Sequence, residues 1–109
     1  LGMSQFEADN TGWRGTNEGS KLAGNASLWN SGDLTSNSEF GASGFTALPG
    51  GNRLNNGNFL NIGNNGNWWS STEGSSTDAW YRDMLYSYTD VLRRYYDKEY
   101  GFSVRCVRD

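Results

Sequence analysis

Asparagine dominates one stretch of the chain, residues 50–67, which reads G-G-N-R-L-N-N-G-N-F-L-N-I-G-N-N-G-N. Each Asn amide can donate and accept hydrogen bonds, but it offers little apolar surface for a core. Turn chemistry is one interpretation, because Asn tolerates the left-handed backbone region. It accounts poorly for Asn58, Asn61 and Asn67, which fall in predicted strands, where Asn is disfavoured. A ligand-facing polar surface is the second interpretation, and both stay open.

Tryptophan and tyrosine side chains follow the asparagines and could supply stacking faces for a ligand. The indoles of Trp68, Trp69 and Trp80 could stack on sugar rings, but a Gly-rich chain with few aliphatic residues also needs them for its core. Neighbouring residues of a strand point to opposite faces, so one of Trp68 and Trp69 is expected to face outward, and Trp80 and Tyr81 divide in the same way. The candidate ligand-binding residues are Asn52, Asn58, Asn61, Asn67, Trp69 and Tyr81.

Catalytic chemistry has little support in the residue types. The chain has no histidine and one cysteine, which excludes Ser-His and Cys-His nucleophile pairs, an intrachain disulfide and a paired-cysteine zinc site. Hydrolysis of a glycosidic bond would need two carboxylates across a cleft, and the spacing selects no pair among Glu73, Asp78, Asp83 and Asp90. Calcium ligands are equally unspecific and could come from Asn17, Glu18, Asp33 or Glu73. We therefore predict a non-enzymatic domain with no metal or cofactor.

Length and charge narrow the class of protein further. A chain of 109 residues forms at most one domain, and a core built from 35% hydrophobic residues must be small. The net charge is −3, and the nine Lys and Arg residues are scattered except for Arg93-Arg94, which argues against a nucleic-acid partner. No apolar run approaches the roughly 18 residues of a membrane span.

Short helices are predicted in the first quarter of the chain. Ser4 and Glu7 have the spacing of a capping box, and a second helical turn is predicted over residues 17–23. Residues 25–44 are predicted to be irregular and held by isolated apolar residues. These anchors are Leu28, Trp29, Leu34 and Phe40.

Strands are predicted for the second half. They cover residues 58–62, 67–72, 79–86 and 89–95. Asn56-Gly57 and Asn65-Gly66 are expected to form tight hairpin turns. The final G-F-S-V-R-C-V alternates, so we predict a closing strand with Phe102, Val104 and Cys106 buried and Arg105 exposed. Short helices followed by an antiparallel meander indicate an α+β domain.

Several motifs, taken in order, resemble the Fibrobacter succinogenes major paralogous domain family. They are G-W-R-G-T-N-E-G-S-K-L-A-G, G-F-T-A-L-P-G-G, W-W-S-S-T-E, A-W-Y-R and K-E-Y-G-F-S-V-R-C-V-R-D, and the resemblance covers essentially all 109 residues. It implies a C-type-lectin-like fold related to formylglycine-generating enzymes, and a secreted or surface-anchored bacterial protein, often a lipoprotein. It also implies that residues 1–109 are the C-terminal part of a larger lectin-like domain, without its N-terminal strand.

Asparagine stands where this family pattern has tyrosine, at Asn52 after L-P-G-G and again at Asn58 and Asn67. Asn codons begin with two adenines, the base that diversity-generating retroelements mutate, and lectin-like proteins are among their targets. The Asn-rich run would then be a variable binding face. We therefore predict a bacterial surface or secreted domain that binds an unknown protein or carbohydrate ligand. The alternative is a structural or interaction module of a cell-surface assembly.

Overall fold

A computed structural model describes residues 1–108, and it contains short helices and two antiparallel sheets. The elements are α1 (Gln5–Ala8), β1 (Gly12–Arg14), α2 (Glu18–Leu22), a 3₁₀ turn (Ala26–Leu28), α3 (Asp33–Ser36), β2 (Asn52–Arg53), β3 (Phe59–Leu60), β4 (Asn65–Glu73), β5 (Asp78–Leu85) and β6 (Val91–Asp97). The α+β architecture and the three long strands are confirmed. None of the helices in the described part of the chain is long and apolar enough to cross a membrane.

The helix starts follow the sequence signals. The Ser4 hydroxyl accepts a hydrogen bond from the Glu7 amide at 3.1 Å, as an N-cap does. The Glu7 carboxylate does not complete the capping box, because it accepts instead from the Gly15 amide at 3.2 Å. It thereby ties α1 to the end of β1. Helix α2 (Glu18–Leu22) lies within the predicted residues 17–23, but the Asn17 side chain at its start makes no capping hydrogen bond.

The main sheet has four antiparallel strands in the order β1-β6-β5-β4. Strands β4, β5 and β6 are consecutive neighbours, because the connections between them are short enough for hairpins. The pairing aligns Trp69 with Tyr81 and Asn67 with Asp83, and it places these four side chains on one face. This sheet face is the one that carries the candidate site.

The core lies on the opposite sheet face, under the helices and the irregular segment. Its buried residues are Ala23, Trp29, Leu34, Ala47, Met84 and Val91, and Trp68 packs against them partly buried. The Trp29 indole Nε1 donates to the Gly24 carbonyl at 3.2 Å, so its polar atom is satisfied inside the core. Of the predicted anchors, Trp29 and Leu34 are buried, whereas Leu28 is half exposed.

The second sheet is a small hairpin of β2 and β3. Its turn at Asn56-Gly57 is confirmed, with Gly57 at φ +92°. The turn predicted at Asn65-Gly66 is wrong, because both residues lie inside β4. The chain reverses earlier, where Asn61 and Gly63 adopt φ +65° and +82°. The asparagine amide allows this left-handed backbone without a glycine.

The predicted closing strand is also wrong. Gly101 and Ser103 form isolated bridges to β2 and β4, and the chain leaves the sheet after them. Phe102 is half-buried, but Val104 is 73% exposed and Cys106 is exposed too; only the prediction for Arg105 is confirmed. Beyond these two bridges the described residues after Ser103 form no strand, so the alternation of apolar residues does not place Val104 and Cys106 in the core.

Candidate ligand-binding site

A cavity of about 270 Å³ opens on the sheet face that points away from the core. It lies between β4, β5 and β6, the β2–β3 hairpin and the segment around Phe102. Its lining residues are Asn52, Leu54, Asn61, Asn65, Asn67, Tyr81, Asp83, Tyr96, Tyr100 and Phe102. Four of the six candidate residues are therefore brought together here, although they come from three different strands and a loop.

Aromatic rings form one wall of the cavity. Phe102 packs between Trp69, at 4.3 Å between ring centroids, and Tyr81, at 4.8 Å. Tyr96 and Tyr100 continue the wall, edge to face, at 4.7 Å. Trp69 does not line the cavity but supports two rings that do.

The hairpin supplies a polar edge. Asn61 donates from Nδ2 to Oδ1 of Asn52 at 2.9 Å, which fixes both amides relative to each other. Asn61 lies at φ +65° rather than in a strand, so the turn interpretation explains this position after all. Asn58 lies in the exposed hairpin turn and does not line the cavity.

Asn67 lies at the base of the cavity and is only 6% exposed. Its Nδ2 faces the Gly51 carbonyl oxygen at 3.5 Å. Its position on β4 gives the same face as Trp69, because side chains two residues apart share a face. Burial of a side-chain amide costs free energy unless the amide forms hydrogen bonds, so a buried Asn is unusual in a strand.

Asp83 is the important residue that the sequence did not single out for this site. It is 8% exposed and accepts hydrogen bonds from Nδ2 of Asn65 at 3.0 and 3.3 Å. Burial raises its pKa to about 6, and the bonds from Asn65 oppose that shift only in part. Its charge also raises the pKa of Tyr81, after the larger effect of burial. Asp83 lies two residues after Tyr81 in the same strand, and this spacing is the sequence signal that places both side chains on one face.

The other predicted aromatic residues lie elsewhere. Trp68 and Trp80 are on the core side of the sheet, as the strand alternation from Trp69 and Tyr81 requires. The guanidinium of Arg93 lies 3.8 Å from the Trp80 ring centroid, so that indole face is already covered. The sugar-stacking hypothesis therefore has no support at Trp80.

The calcium ligands considered from sequence are not assembled into one site in the described residues. No group of three or more acidic, Cys or His side chains there could hold a metal ion. The carboxylate of Glu18 accepts from two backbone amides, at Thr16 and Asn17, and Glu73 pairs with Lys98. These oxygens already have partners within the fold.

Comparison with known proteins identifies the family. The Fibrobacter succinogenes major domain matches residues 1–108, nearly the whole chain. No curated protein and no solved structure gives a significant match. A family assignment does not by itself identify a ligand, because function is determined by the site. By its ordered motifs and by this match, the chain belongs to the Fibrobacter succinogenes major domain family.

Proposed function

We propose that this chain is a non-enzymatic ligand-binding domain of a secreted or surface-displayed bacterial protein, and that it binds a carbohydrate or protein ligand through the Asn-lined cavity. The observation that carries the proposal is the convergence of Asn52, Asn61, Asn67 and Tyr81 on one concave surface. Concave sites that combine aromatic walls with a few polar groups are the usual form of small-ligand sites.

A C-type-lectin-like relationship is part of the same proposal. The small antiparallel sheet, the short helices and the irregular segment between α2 and β2 support it. Family membership supports secretion or surface display. Among the residues that line the cavity, Asp83 is the one carboxylate, whereas glycosidic hydrolysis would need a second. Binding therefore suits this cavity better than hydrolysis.

The hypothesis of retroelement diversification applies to the rim of the cavity better than to its base. Asn52 is half-buried on a short strand, and a larger side chain there would extend the rim. Asn67 is buried, and Asn61 holds a left-handed backbone, so both restrict what can replace them. A search of the genomic neighbourhood for a reverse transcriptase beside a near-copy of the Asn-rich segment tests this hypothesis.

A glycan array followed by calorimetry of the selected ligand tests the binding proposal. We expect a selective ligand whose affinity falls about tenfold in the double variant Asn52→Ala/Asn61→Gly, because two neutral hydrogen-bonding groups are removed together. Glycine keeps the left-handed backbone at position 61. The matched control is Asn58→Ala/Asn25→Gly, which makes the same changes outside the cavity, Asn25 being left-handed too at φ 55°. Equal loss in both variants would refute the assignment of the site.

One observation favours the alternative, a module that packs on neighbouring domains. Phe59 and Ile62 are 79% and 82% exposed on and beside β3. Exposed apolar groups on a short sheet edge are suited to contact with another protein. If this edge packs on a neighbour, the isolated chain should self-associate at high concentration and become monomeric in the variant Phe59→Ser/Ile62→Ser. Sedimentation at increasing concentration measures this, and a parent chain that stays monomeric throughout would contradict it.

A further inference from the structure

The candidate cavity contains a buried negative charge without a cation. Asp83 is more than nine-tenths buried and lines the cavity. The salt bridges within residues 1–108 are Lys21–Glu39 and Lys98–Glu73, and neither includes it. The cavity lining contains neither Lys nor Arg. Buried charges in proteins are ordinarily paired, so this carboxylate is suited to a cationic group from outside the chain.

Two of the asparagines that line the cavity offer side-chain acceptors to a ligand. Asn65 uses its amide nitrogen on Asp83, and Asn67 directs its own to the Gly51 carbonyl. Each of these partners is an oxygen acceptor, so the amide nitrogen must face it. The side-chain carbonyl oxygens of Asn65 and Asn67 accept no hydrogen bond from the described residues and are therefore available to a ligand. A ligand that bonds to these two oxygens must bring N–H or O–H donors.

The aromatic wall favours the same kind of ligand. Tyr81, Tyr96, Tyr100 and Phe102 line the cavity that holds Asp83. Ring faces attract cations, and aromatic groups around an ammonium are a common way to recognise it. The rings also offer apolar surface to a sugar ring, and a volume of about 270 Å³ is suited to a single small ring rather than to a large ligand.

We infer that the cavity binds the primary ammonium group of an amino sugar, with the ammonium on Asp83, the carbonyl oxygens of Asn65 and Asn67 accepting further donors, and the sugar ring against the aromatic wall. The inference rests on the proposed function and specifies its ligand class. The ammonium and the carboxylate form charge-assisted hydrogen bonds, which are shorter and stronger than neutral ones. The ligand also neutralises the buried charge.

Other charged or titratable groups around Asp83 do not duplicate this role. Tyr81, Tyr96 and Tyr100 line the cavity, Arg94 lies beside Tyr81 in the neighbouring strand, and Arg53 is exposed on the hairpin. Arg94 lines a second cavity, of about 560 Å³, that shares Tyr96 and Tyr100 with the first. Between pH 5 and 8, Tyr side chains are ordinarily neutral and Arg side chains ordinarily carry their positive charge. Binding that weakens below pH 6 therefore reports Asp83.

Titration calorimetry of the full chain with glucosamine, glucose and N-acetylglucosamine tests the inference. At pH 7, we expect glucosamine to bind at least about tenfold more tightly than the two neutral sugars, because they lack the charge-assisted bonds. The preference should disappear in Asp83→Asn and weaken at pH 5. Asp33 is exposed and lies outside the cavity, so Asp33→Asn is the matched control and should keep the preference for glucosamine. Thermal melting of each variant confirms that it is folded.

Three outcomes of the titration would overturn the inference. They are equal affinity for glucosamine and glucose, a preference that survives in Asp83→Asn, and stronger binding of Nα-acetyl-lysine methylamide than of glucosamine. The last would assign the cavity to a peptide amine. The proposed function fails separately, if the array ligand is indifferent to the Asn52→Ala/Asn61→Gly change. A neutral array ligand that depends on those asparagines would overturn the inference and leave the proposed function standing.

Discussion

Asp83→Asn is expected to stabilise the folded chain by about 3 kcal/mol at pH 8. The parent carboxylate is buried without a cation, and its pKa is raised from 3.8 to about 6. Each pKa unit corresponds to about 1.4 kcal/mol between the two protonation states. Asparagine has nearly the same shape and can still accept from Asn65, but it carries no charge that burial would penalise. Replacing a residue of the proposed binding site would thus strengthen the fold.

The stabilisation of Asp83→Asn relative to the parent should increase as the pH rises. The folded chain binds the Asp83 proton more tightly than the unfolded chain, so the favourable contribution of the protonated group is fully present below about pH 4. It is lost as the pH rises through about 6. The difference in the free energy of unfolding between Asp83→Asn and the parent should therefore be small at pH 4 and reach its full size by about pH 8.

Urea unfolding of both proteins between pH 4 and pH 8 measures this difference. Burial also raises the pKa of Asp90, but that residue is present in both proteins and cancels in the comparison. Asp33→Asn, an exposed position, serves as the control and should change stability little at either pH. A gain of the same size at pH 4 and pH 8, or a loss at pH 8, would show that the Asp83 charge is compensated in the folded chain.

The sequence predicted the long strands because their local signals agree with one another. In β4 and β5, a pair of adjacent aromatic residues lies among polar ones, and the structure places Trp68 toward the core and Trp69 on the opposite face. Helix α1 begins where Ser4 can cap it. Each of these features depends on residues a few positions apart, which is the range over which periodicity and capping act.

The cavity could be predicted only in part because its members are distant in the chain. Tyr96, Tyr100 and Phe102 reach the site through the β5–β6 pairing and the return of the chain over β4, and no local pattern specifies that return. The same limit explains Val104, whose alternation with Phe102 looked like a strand. Asn61 was misplaced for another reason, since its left-handed backbone is a turn property that asparagine and glycine share.

Leu34→Ala is expected to cause the largest loss of stability. Leu34 is fully buried in α3, within the long irregular segment, and belongs to the core cluster with Trp29 and Met84. Truncation of a buried Leu removes apolar contacts and leaves a cavity, which together cost about 3 kcal/mol. Domains of this kind are stable by only about 5–15 kcal/mol, so the loss is a large share of the total.

The backbone hydrogen bonds around Leu34 explain why the space left by its side chain in Leu34→Ala cannot close easily. Its amide donates to the Tyr86 carbonyl at 3.0 Å, and its carbonyl accepts from the Ser20 hydroxyl at 2.9 Å. These bonds hold α3 between α2 and the end of β5. A segment fixed at both polar groups cannot shift inward to fill the space left by the side chain, so the cost of the empty space adds to the cost of the lost contacts.

Leu28→Ala is the matched control, because it makes the same change in the same irregular segment at a position that is 50% exposed. We expect it to cost less than about 1 kcal/mol, since a half-exposed side chain loses little buried surface. Urea unfolding at one pH, with both variants beside the parent, gives the two differences. If they were equal, Leu34 would not be an anchor of the core, and the irregular segment would be held to the sheet by its hydrogen bonds rather than by the packing of this side chain.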